Sequence, residues 1–543
     1  MWKPKADKII VTFAIETKHY IMGKFLDYGN SDFASVRNTD FVDKSGLINV
    51  LNSKIDSEKR FICISRPRRF GKSVAAKMLY AYYDRSCDSH CLFDDLEIAK
   101  LPDYEKHLNK YPTIYLDWNR FSDTDTKNVV KIAQKAVIED LRTKYPFIKA
   151  DEDKLMNALV EINEQTGDRF IFIIDEWDRL VREVEKPVQE EYVNLLRAMF
   201  KSNAANKVFL LVYMTGILPI IKVEAQSALN NFDEFSVIRP VKTAKYYGFT
   251  PDEVRAICEK YGLNFELMKH AYDGYIIGSE KSIFNPFSVM LAAEDGEYNS
   301  HWSKSASYTT IEHYIEIDHD TVQQKIIRML NGESVTIKTT SFRNDMKNID
   351  NSDDVLTLLT HLGYLSYDPE TLTVKIPNNE IAQEFELSVS RVGWGEVSAA
   401  LTDSLTLVNK TIEMDADYIA EAFDKYRFES SSIIKYKDEN SMSCAITLAY
   451  YAAKRFYKIY RELPAGKGFA DMVFVPLPGS TRPAIVIELK HNKSAIGAID
   501  QIKNKNYPAA LKGFSKRIIL VGINWSKRKA KHDVKIDVVD GVE

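Results

Sequence analysis

The stretch Arg66-Pro-Arg-Arg-Phe-Gly-Lys-Ser73 decides the fold of the N-terminal half of the chain. It follows an apolar, β-branched run, Phe61-Ile-Cys-Ile-Ser65, that predicts a buried strand, and it precedes residues 74–83, which predict a helix. This order predicts a phosphate-binding loop, because backbone N–H groups at a helix N-terminus attract phosphate. We therefore expect Lys72 to neutralise nucleotide oxygens and Ser73 to hold Mg²⁺. An ordinary strand-to-helix turn is the alternative interpretation.

The loop departs from the usual pattern GxxxxGK[ST] at one position. Arg66 stands where the first glycine is expected, five residues before Gly71. Arg66, Arg68 and Arg69 either add positive charge near phosphate or pair with acids of the protein, and the sequence leaves both interpretations open. The candidate nucleotide-binding residues are Arg66, Pro67, Arg68, Arg69, Phe70, Gly71, Lys72 and Ser73.

Two later strands end in polar residues that such a loop requires. Phe170-Ile-Phe-Ile-Ile174 is followed by Asp175, expected to orient Mg²⁺ or its water, and by Glu176, expected to polarise the attacking water. Val208-Phe-Leu-Leu-Val-Tyr-Met214 ends at Thr215, which either senses the γ-phosphate or caps a turn. The predicted cofactor is ATP with Mg²⁺.

Strands alternate with helical patterns throughout this half of the chain. Tyr111-Pro-Thr-Ile-Tyr-Leu116 predicts a further strand, and residues 129–145 predict a helix. The alternation indicates an α/β protein with a doubly wound parallel sheet over residues 40–240. Ligands of such sheets bind at the carboxyl ends of the strands, where both phosphate motifs lie.

The middle of the chain predicts a helical lid and a winged-helix-like module. A helix opened by Thr250 and Pro251 is followed by helical patterns at residues 320–330 and 353–362, and Leu372-Thr-Val-Lys-Ile376 predicts one strand of a small hairpin. No catalytic set of residues is visible. We interpret this region as a spacer that couples the nucleotide state to the C-terminal region.

A second set of charged residues follows on two apolar strands. Lys467-Gly-Phe-Ala-Asp-Met-Val-Phe-Val475 contains Asp471, and Pro483-Ala-Ile-Val-Ile-Glu-Leu-Lys490 ends in Glu488 and Lys490. Residues two apart in a strand point to the same face of the sheet. On two adjacent strands, Asp471 and Glu488 are therefore expected to present their carboxylates on one face. Such oxygen ligands suit Mg²⁺, with Mn²⁺ as an alternative, and the metal would activate water against a phosphodiester. Lys490 would position the nucleophile or neutralise charge.

Further candidates surround this set. Glu439 on a preceding helix is a possible third metal ligand, and Gln501 and Lys505, one helical turn apart, are expected over the same site. Residues 503–535 contain ten Lys and Arg against one acid, Asp533, which favours DNA or RNA as the partner. A surface Glu-Lys pair and a solvated basic face are the alternatives.

Composition limits the class of protein. With 543 residues and 45% hydrophobic side chains, the chain predicts roughly three or four domains. The net charge of −4 argues against a protein that coats nucleic acid non-specifically. The five scattered cysteines form no CxxC pair and support neither a disulfide framework nor a zinc site. No long apolar run or secretory signal is present, so we expect a cytoplasmic protein without a membrane partner.

These residues together resemble a bacterial family of predicted AAA-type ATPases fused to a C-terminal PD-(D/E)XK nuclease domain. The resemblance covers residues 30–525. Its marks are Phe41-Val-Asp-Lys-Ser45, the loop at 66–73, Ile174-Asp-Glu-Trp-Asp178, Thr215-Gly216, Tyr272-Asp-Gly-Tyr275, Asn285-Pro-Phe-Ser288, Gly363-Tyr-Leu365, Ile376-Pro-Asn378 and the set Asp471, Glu488 and Lys490. The missing first glycine is usual in this family. Two departures are Trp177, where the family usually has Tyr, and Ala470, where the nuclease name has proline.

The resemblance implies ATP and Mg²⁺ binding in the first domain, metal-dependent nuclease chemistry in the last, and a place in mobile-element or defence biology. We expect an N-terminal extension at 1–40, an ATPase domain at 41–245, the lid and linker at 246–395, and the nuclease-like domain at 396–543. A switch that binds nucleic acid or a protein without cutting is the alternative function. Arg182, Arg197 and Arg239 are unranked arginine-finger candidates, so oligomerisation stays open.

Overall fold

A computed structural model gives the architecture of the chain. It describes residues 23–220, 229–302, 309–316, 319–342, 349, 351–426, 439–465, 468–511 and 513–541. These residues divide into two compact units, one of residues up to 61 with 73–214, and one of residues 62–72 with 215 onward. Among the described residues, no helix has the length and apolar character needed to span a membrane.

The N-terminal region alternates strands with helices, as predicted. Its strands are β1 Phe61–Ser65, β2 Thr113–Asp117, β3 Phe170–Asp175, β4 Phe209–Gly216 and β5 Asp233–Phe235. Its helices are α1 Ser31–Arg37, α2 Gly46–Asn52, α3 Lys72–Tyr83, α4 His90–Phe93, α5 Tyr104–His107, α6 Val129–Lys144, α7 Leu155–Thr166, α8 Arg179–Glu183, α9 Lys186–Phe200 and α10 Ala205–Val208.

The five strands form one sheet in the order β2-β3-β4-β1-β5. The pairs β2/β3, β3/β4 and β1/β5 are parallel. Every residue of β1 and β3 is buried, as expected of strands covered on both faces. The order of the strands in the sheet differs from their order in the sequence, so the connections cross over the sheet. The predicted parallel α/β fold is confirmed.

The middle region is mainly helical. Its helices are α11 Pro251–Tyr261, α12 Phe265–Tyr272, α13 Pro286–Asp295, α14 Thr309–Ile315, α15 His319–Leu330, α16 Ser352–Leu362 and α17 Asn379–Val392. Its strands are β6 Tyr275–Ile277, β7 Glu280–Ile283, β8 Val335–Thr336, β9 Ser366–Asp368 and β10 Thr373–Lys375. The predicted start of α11 is confirmed, because Thr250 and Glu253 form a reciprocal capping box.

The predicted hairpin strand near residue 374 is β10. It pairs antiparallel with β9 and with β8, which gives a three-stranded sheet in the order β8-β10-β9. The helices α15 and α16 precede the hairpin in the chain. This order of helices and a small antiparallel sheet agrees with the predicted winged-helix-like module.

The C-terminal region is built on a mixed sheet. Its strands are β11 Tyr457–Ala465, β12 Gly468–Pro476, β13 Ala484–His491, β14 Arg517–Ser526 and β15 Lys531–Asp540, in that spatial order. Its helices are α18 Gly395–Ile412, α19 Ala416–Lys425, α20 Glu439–Ala449 and α21 Ala495–Asn504. Only β13/β14 is parallel among these pairs, and α21 makes the crossover between them.

Close packing holds α21 against this sheet. A side chain at Gly522 on β14 would meet the carbonyl oxygen of Ala495 at 2.3 Å, so only glycine allows the helix to approach so closely. Ala498 and Ile502 on the inner face of α21 are fully buried. This packing holds α21 close to the sheet, with Gln501 next to β13.

Candidate active sites

Two carboxylates meet on adjacent strands of the C-terminal sheet. The register of β12 and β13 pairs Met472 with Ile487, which makes Asp471 and Glu488 the next residues along the two strands. Residues opposite each other in an antiparallel pair point to the same face. The backbone N–H of Leu489 donates to Oδ2 of Asp471 at 2.7 Å, which ties that carboxylate to β13. The sequence prediction that these two side chains lie together agrees with this geometry.

Glu488 is a buried carboxylate, and only one of its two oxygens accepts hydrogen bonds from described residues. Its Oε1 accepts from Nζ of Lys490 at 2.9 Å and from the side-chain amide of Gln501, whereas its buried Oε2 has no hydrogen-bond partner among the described residues. Burial and the nearby charge of Asp471 raise the pKa of Glu488 to about 6, although Lys490 acts in the opposite direction. A buried oxygen without a partner is costly unless it serves a ligand.

The residues present fit a hard divalent cation. Among the described residues there is no cluster of three or more His, Cys, Asp or Glu, so the site offers the pair Asp471 and Glu488. Mg²⁺ commonly binds through one or two carboxylates and completes its shell with waters and substrate phosphate. The predicted third ligand, Glu439, begins α20, but its side chain lies outside the described part of the chain.

The helix α21 brings one predicted residue to this pair and leaves another apart. Gln501 reaches Glu488 and also lies 3.5 Å from the hydroxyl of Tyr507. Lys505 caps the C-terminus of α21, and its side chain makes no hydrogen bond or ion pair with the described residues. Gln501 therefore supports the carboxylate directly, whereas Lys505 remains available to an external phosphate.

The phosphate loop in the second unit is folded tightly on itself. Gly71 has φ +84° with no atom near the position of a Cβ, and Arg69 also adopts a left-handed conformation, with φ +69°. Nζ of Lys72 donates to the carbonyl oxygen of Pro67 at 2.9 Å, and the side chain is buried. The lysine is thus positioned inside the loop, close to the backbone that would surround a phosphate.

The three arginines of the loop have different surroundings. Arg66 is fully buried and donates to the carbonyl oxygen of Phe235 at 2.7 Å and to the hydroxyl of Thr243 at 2.9 Å. Arg69 is half-buried and donates to the carbonyl oxygen of His301 at 2.9 Å, whereas Arg68 is exposed. We assign Arg66 a supporting role, because its hydrogen bonds to Phe235 and Thr243 tie it to the protein interior.

Carboxylates end two neighbouring strands of the first unit. Asp175, which is 1% exposed, ends β3, and Asp117 lies beside it in the β2/β3 register. Burial raises the pKa of Asp117. Glu176 follows with φ +53° and forms an ion pair of 3.0 Å with Arg182. Asp117 was not predicted as a site residue, because the predicted strand ended at Leu116. An acid directly after an apolar strand, the signal that indicated Asp175, could have identified it.

Thr215 is the last residue but one of β4, and its hydroxyl is unused. The residue is fully buried, and its Oγ1 has no hydrogen-bond partner among the described residues. A turn cap would require the hydroxyl to accept a backbone N–H, which is not seen. Of the two sequence interpretations, the geometry favours a hydroxyl kept for a ligand.

Comparison with protein families gives a match to each of the two regions that contain these residues. Residues 27–225 match the family described as Predicted AAA-ATPase, and residues 437–535 match the PD-(D/E)XK nuclease superfamily. The chain carries an AAA-ATPase-like region followed by a PD-(D/E)XK nuclease-superfamily region. The first contains the loop at 66–73, Asp175 and Thr215. The second contains Asp471, Glu488, Lys490 and Gln501.

Individual relatives add little. An uncharacterized protein in the vnfD 5' region of Azotobacter chroococcum mcd 1 is 25% identical over 299 residues, which is 53% of this chain and 55% of that protein. The chain thus spans about half the length of this curated relative.

Solved structures are more distant. Pyrobaculum aerophilum CDC6P has 13% identity and a TM-score of 0.27, and the match covers 66% of this chain and 97% of that one. The Aeropyrum pernix ORC2 protein in its ADPNP-ADP complexes has 12% identity and a TM-score of 0.33, with 69% and 96% covered. TM-scores this low support no conclusion.

One arginine-finger candidate of the AAA-ATPase-like region is held within its own chain. Arg182 pairs with Glu176 and also donates from Nε to Asp178 at 3.0 Å. Its side chain is 8% exposed. Arg239 is exposed, and Arg197 bonds its neighbour Asn194 at 3.0 Å. Arg182 is therefore engaged within its own chain, whereas Arg197 and Arg239 remain open to a ligand.

Proposed function

We propose that the protein binds and hydrolyses ATP and couples this to Mg²⁺-dependent cleavage of phosphodiester bonds in nucleic acid. The proposed domains are the extension at 1–40, the ATPase at 41–245, the lid and linker at 246–395, and the nuclease-like domain at 396–543. The proposed substrate is DNA or RNA of foreign origin, because the family resemblance implies defence or mobile-element biology.

One observation supports the nuclease function above the others, namely the buried Oε2 of Glu488 without a hydrogen-bond partner beside Asp471. These carboxylates would hold Mg²⁺ or Mn²⁺, which supplies an activated water and charge stabilisation when bound. Lys490 places its ammonium group against the same face, where it would neutralise charge on the scissile phosphate. Gln501 orients Glu488 from above.

The proposed ATPase function would use the residues predicted for it from the sequence. Lys72 would neutralise β and γ oxygens, Ser73 and Asp175 would hold Mg²⁺, and Glu176 would polarise water. The unused hydroxyl of Thr215 would contact the γ-phosphate. Both Lys72 and Glu176 have protein partners without nucleotide, so ATP binding would exchange the contact of Lys72 with Pro67 for one with phosphate.

Incubation with labelled single- and double-stranded DNA and RNA tests both activities together. Each substrate is combined with ATP, with Mg²⁺ or Mn²⁺, with both, or with EDTA. We expect cleavage that requires the metal and is lost in Glu488→Gln, while ATP hydrolysis persists. Cleavage that survives this substitution would refute the proposed site.

A binding switch without cleavage is the second candidate. It is favoured by the absence of a third carboxylate among the described residues and by the ion pair that occupies one oxygen of Glu488. A protein that hydrolyses ATP but leaves every substrate intact with either metal would support it. Comparing cleavage by Lys72→Ala with that of the unaltered protein then shows whether nucleotide controls a nuclease that does cut.

A further inference from the structure

A positively charged site lies at the end of the nuclease-like sheet away from the carboxylate pair. An open cavity of about 550 Å³ is formed where β13 and β14 begin and β15 ends. Its lining residues are Ser480, Thr481, Arg482, Pro483, Gly513, Phe514, Ser515, Lys516, Arg517 and Gly541. Pro483 lines the cavity directly before β13 and precedes Glu488 by five residues, so the cavity lies roughly 16 Å from the carboxylate pair along the strand.

The charged residues that line the cavity are all cationic. Three of its ten lining residues are cationic and none is acidic, counting only the described part of the chain. Neither Arg482 nor Arg517 forms an ion pair with a described carboxylate. Asp540 lies opposite Arg517 in the β14/β15 register without bridging to it. Two guanidinium groups that form no ion pair with the described residues provide the planar donors that bind phosphate.

Both guanidinium groups are held in place by uncharged neighbours. Arg482 lies 3.9 Å from the centre of the Phe456 ring and 3.5 Å from Oδ1 of Asn409. Arg517 approaches the sulfur of Met414 at 3.3 Å. These contacts orient the two groups without neutralising them, so their charge stays available to a ligand.

The floor of the cavity is rigid. Oγ of Ser515 accepts from the backbone N–H of Ala484 at 3.2 Å and donates to the carbonyl oxygen of Arg517 at 2.8 Å. A side chain at Gly541 would meet the carbonyl oxygen of Ser515 at 1.9 Å. The loop that carries the cations is therefore fixed between the ends of three strands.

An aromatic ring stands at the same site. Phe514 is 59% exposed and lines the cavity together with the three cations. Exposed rings beside basic groups bind unpaired bases, because every base has a face on which to stack. Phosphate donors and a stacking ring together match a nucleotide unit of a single strand, whereas a plain anion site would not need the ring.

We propose that this cavity binds single-stranded nucleic acid, with a phosphate between Arg482, Lys516 and Arg517 and a base against Phe514. The inference rests on the proposed nuclease function and extends it, because it gives the domain a contact with substrate remote from the metal. A nucleic-acid strand bound both in this cavity and at the carboxylate pair would contact the domain at two points along its length.

Binding of a six-residue thymidine oligonucleotide tests the proposal. The probe has a 3′ fluorophore, and affinity of the full-length protein is measured by anisotropy in EDTA at several salt concentrations. The variants are Phe514→Ala, Arg517→Gln and Arg482→Gln. Arg328→Gln is the control, because it removes another exposed arginine from the middle region, away from the cavity. Melting temperatures verify that each variant is folded.

We expect Phe514→Ala to weaken binding on the order of 10-fold with an unchanged salt dependence. Arg517→Gln should weaken binding and reduce the slope of log affinity against log salt by about 0.7, the value for one phosphate contact on a single strand. Arg328→Gln should change neither quantity. Because Phe514 and Arg517 are exposed, their replacement should leave the fold intact even if that of Arg482 does not.

The possible results separate this inference from the proposed function. Unchanged affinity in Phe514→Ala and Arg517→Gln, or an equal loss in Arg328→Gln, would overturn the cavity as a binding site. If cleavage still depends on Glu488 in that case, the nuclease proposal stands. Conversely, binding that depends on the cavity in a protein that never cleaves would retain this site and reject the nuclease.

Discussion

Asp471 and Glu488 face each other from adjacent antiparallel strands, and Asp471 is bonded across to the amide of Leu489 at 2.7 Å. Their charges repel, which contributes to the raised pKa of Glu488. A cation between them would relieve that repulsion and occupy the unpartnered oxygen. A bound divalent cation would therefore stabilise the pair.

Replacing either carboxylate by its amide should remove nuclease activity. We expect Asp471→Asn and Glu488→Gln each to lower the cleavage rate by at least about 100-fold, since an amide is a poor ligand for a hard cation. Glu413→Gln, an exposed site of the same region, is the control. Gel assays measure the rate, and Mn²⁺ binding measured by electron paramagnetic resonance should fall in parallel. Normal Mn²⁺ binding in Glu488→Gln would contradict the assignment.

Gln501 should affect metal affinity through Glu488. Residues that hydrogen-bond a metal ligand typically change affinity or activity by about 10- to 100-fold. We expect Gln501→Ala to raise the Mg²⁺ concentration for half-maximal cleavage by that factor, with partial recovery at high Mg²⁺. Asn504→Ala, exposed on the same helix, should leave the titration unchanged. A lower rate with an identical Mg²⁺ titration would instead show that Gln501 acts on substrate.

Thr215→Val should separate stability from ATP hydrolysis. Valine has the shape of threonine but lacks the hydroxyl, which is buried without a partner. We expect the nucleotide-free protein to become more stable by about 1 kcal/mol, because an unsatisfied polar group is removed. ATP hydrolysis should fall on the order of 100-fold if the hydroxyl contacts the γ-phosphate. Denaturant unfolding and a phosphate-release assay measure the two effects, and a less stable variant would show that the hydroxyl has a partner in solution.

Arg66 and Arg68 should differ in their effect on folding. Arg66→Met removes donors to the oxygens of Phe235 and Thr243, each contact worth about 1.5–3 kcal/mol when one partner is charged. We expect a loss of several kcal/mol in the free energy of unfolding, followed by weaker ATP binding. Arg68→Met, the matched control at an exposed position, should leave stability within about 0.5 kcal/mol. Equal stabilities for the two variants would contradict a supporting role for Arg66.

Glu380 should make stability depend on pH. This glutamate is buried against Oγ of Ser288 at 2.9 Å and the N–H of His301 at 2.8 Å, and burial raises its pKa from 4.5 to about 7. The folded protein therefore binds this proton more tightly than the unfolded chain does. Its contribution to stability is complete below about pH 4.5 and is lost as the pH rises to 7, a change of about 3 kcal/mol.

The matching measurement compares two unfolding curves. Denaturant unfolding of the unaltered protein and of Glu380→Gln is followed between pH 5 and 8. The variant should lack the part of the pH dependence that Glu380 contributes, because glutamine does not titrate. Identical pH profiles would show that the carboxyl group keeps its ordinary pKa.

Local sequence patterns predicted the strands and helices. The roles of individual side chains depend on contacts between residues far apart in the sequence. Residues 170–174 and 483–490 indicated their strands because continuous apolar runs belong in buried sheet interiors. The role of Arg66 was missed because its acceptors, Phe235 and Thr243, lie more than 160 residues away in sequence. The cavity around Arg517 could not be predicted either, because it forms only where three separate strand ends converge.

The phosphate loop is anchored to residues far beyond the sheet. Arg69 bonds the backbone of His301, the ring of Phe70 packs against Tyr275 with centroids 5.1 Å apart, and Pro67 lies against Gly363. A shortened protein ending near residue 245 would keep every residue of the nucleotide motifs but lose these supports. The smallest piece of the chain able to bind ATP with full affinity should therefore extend past residue 363.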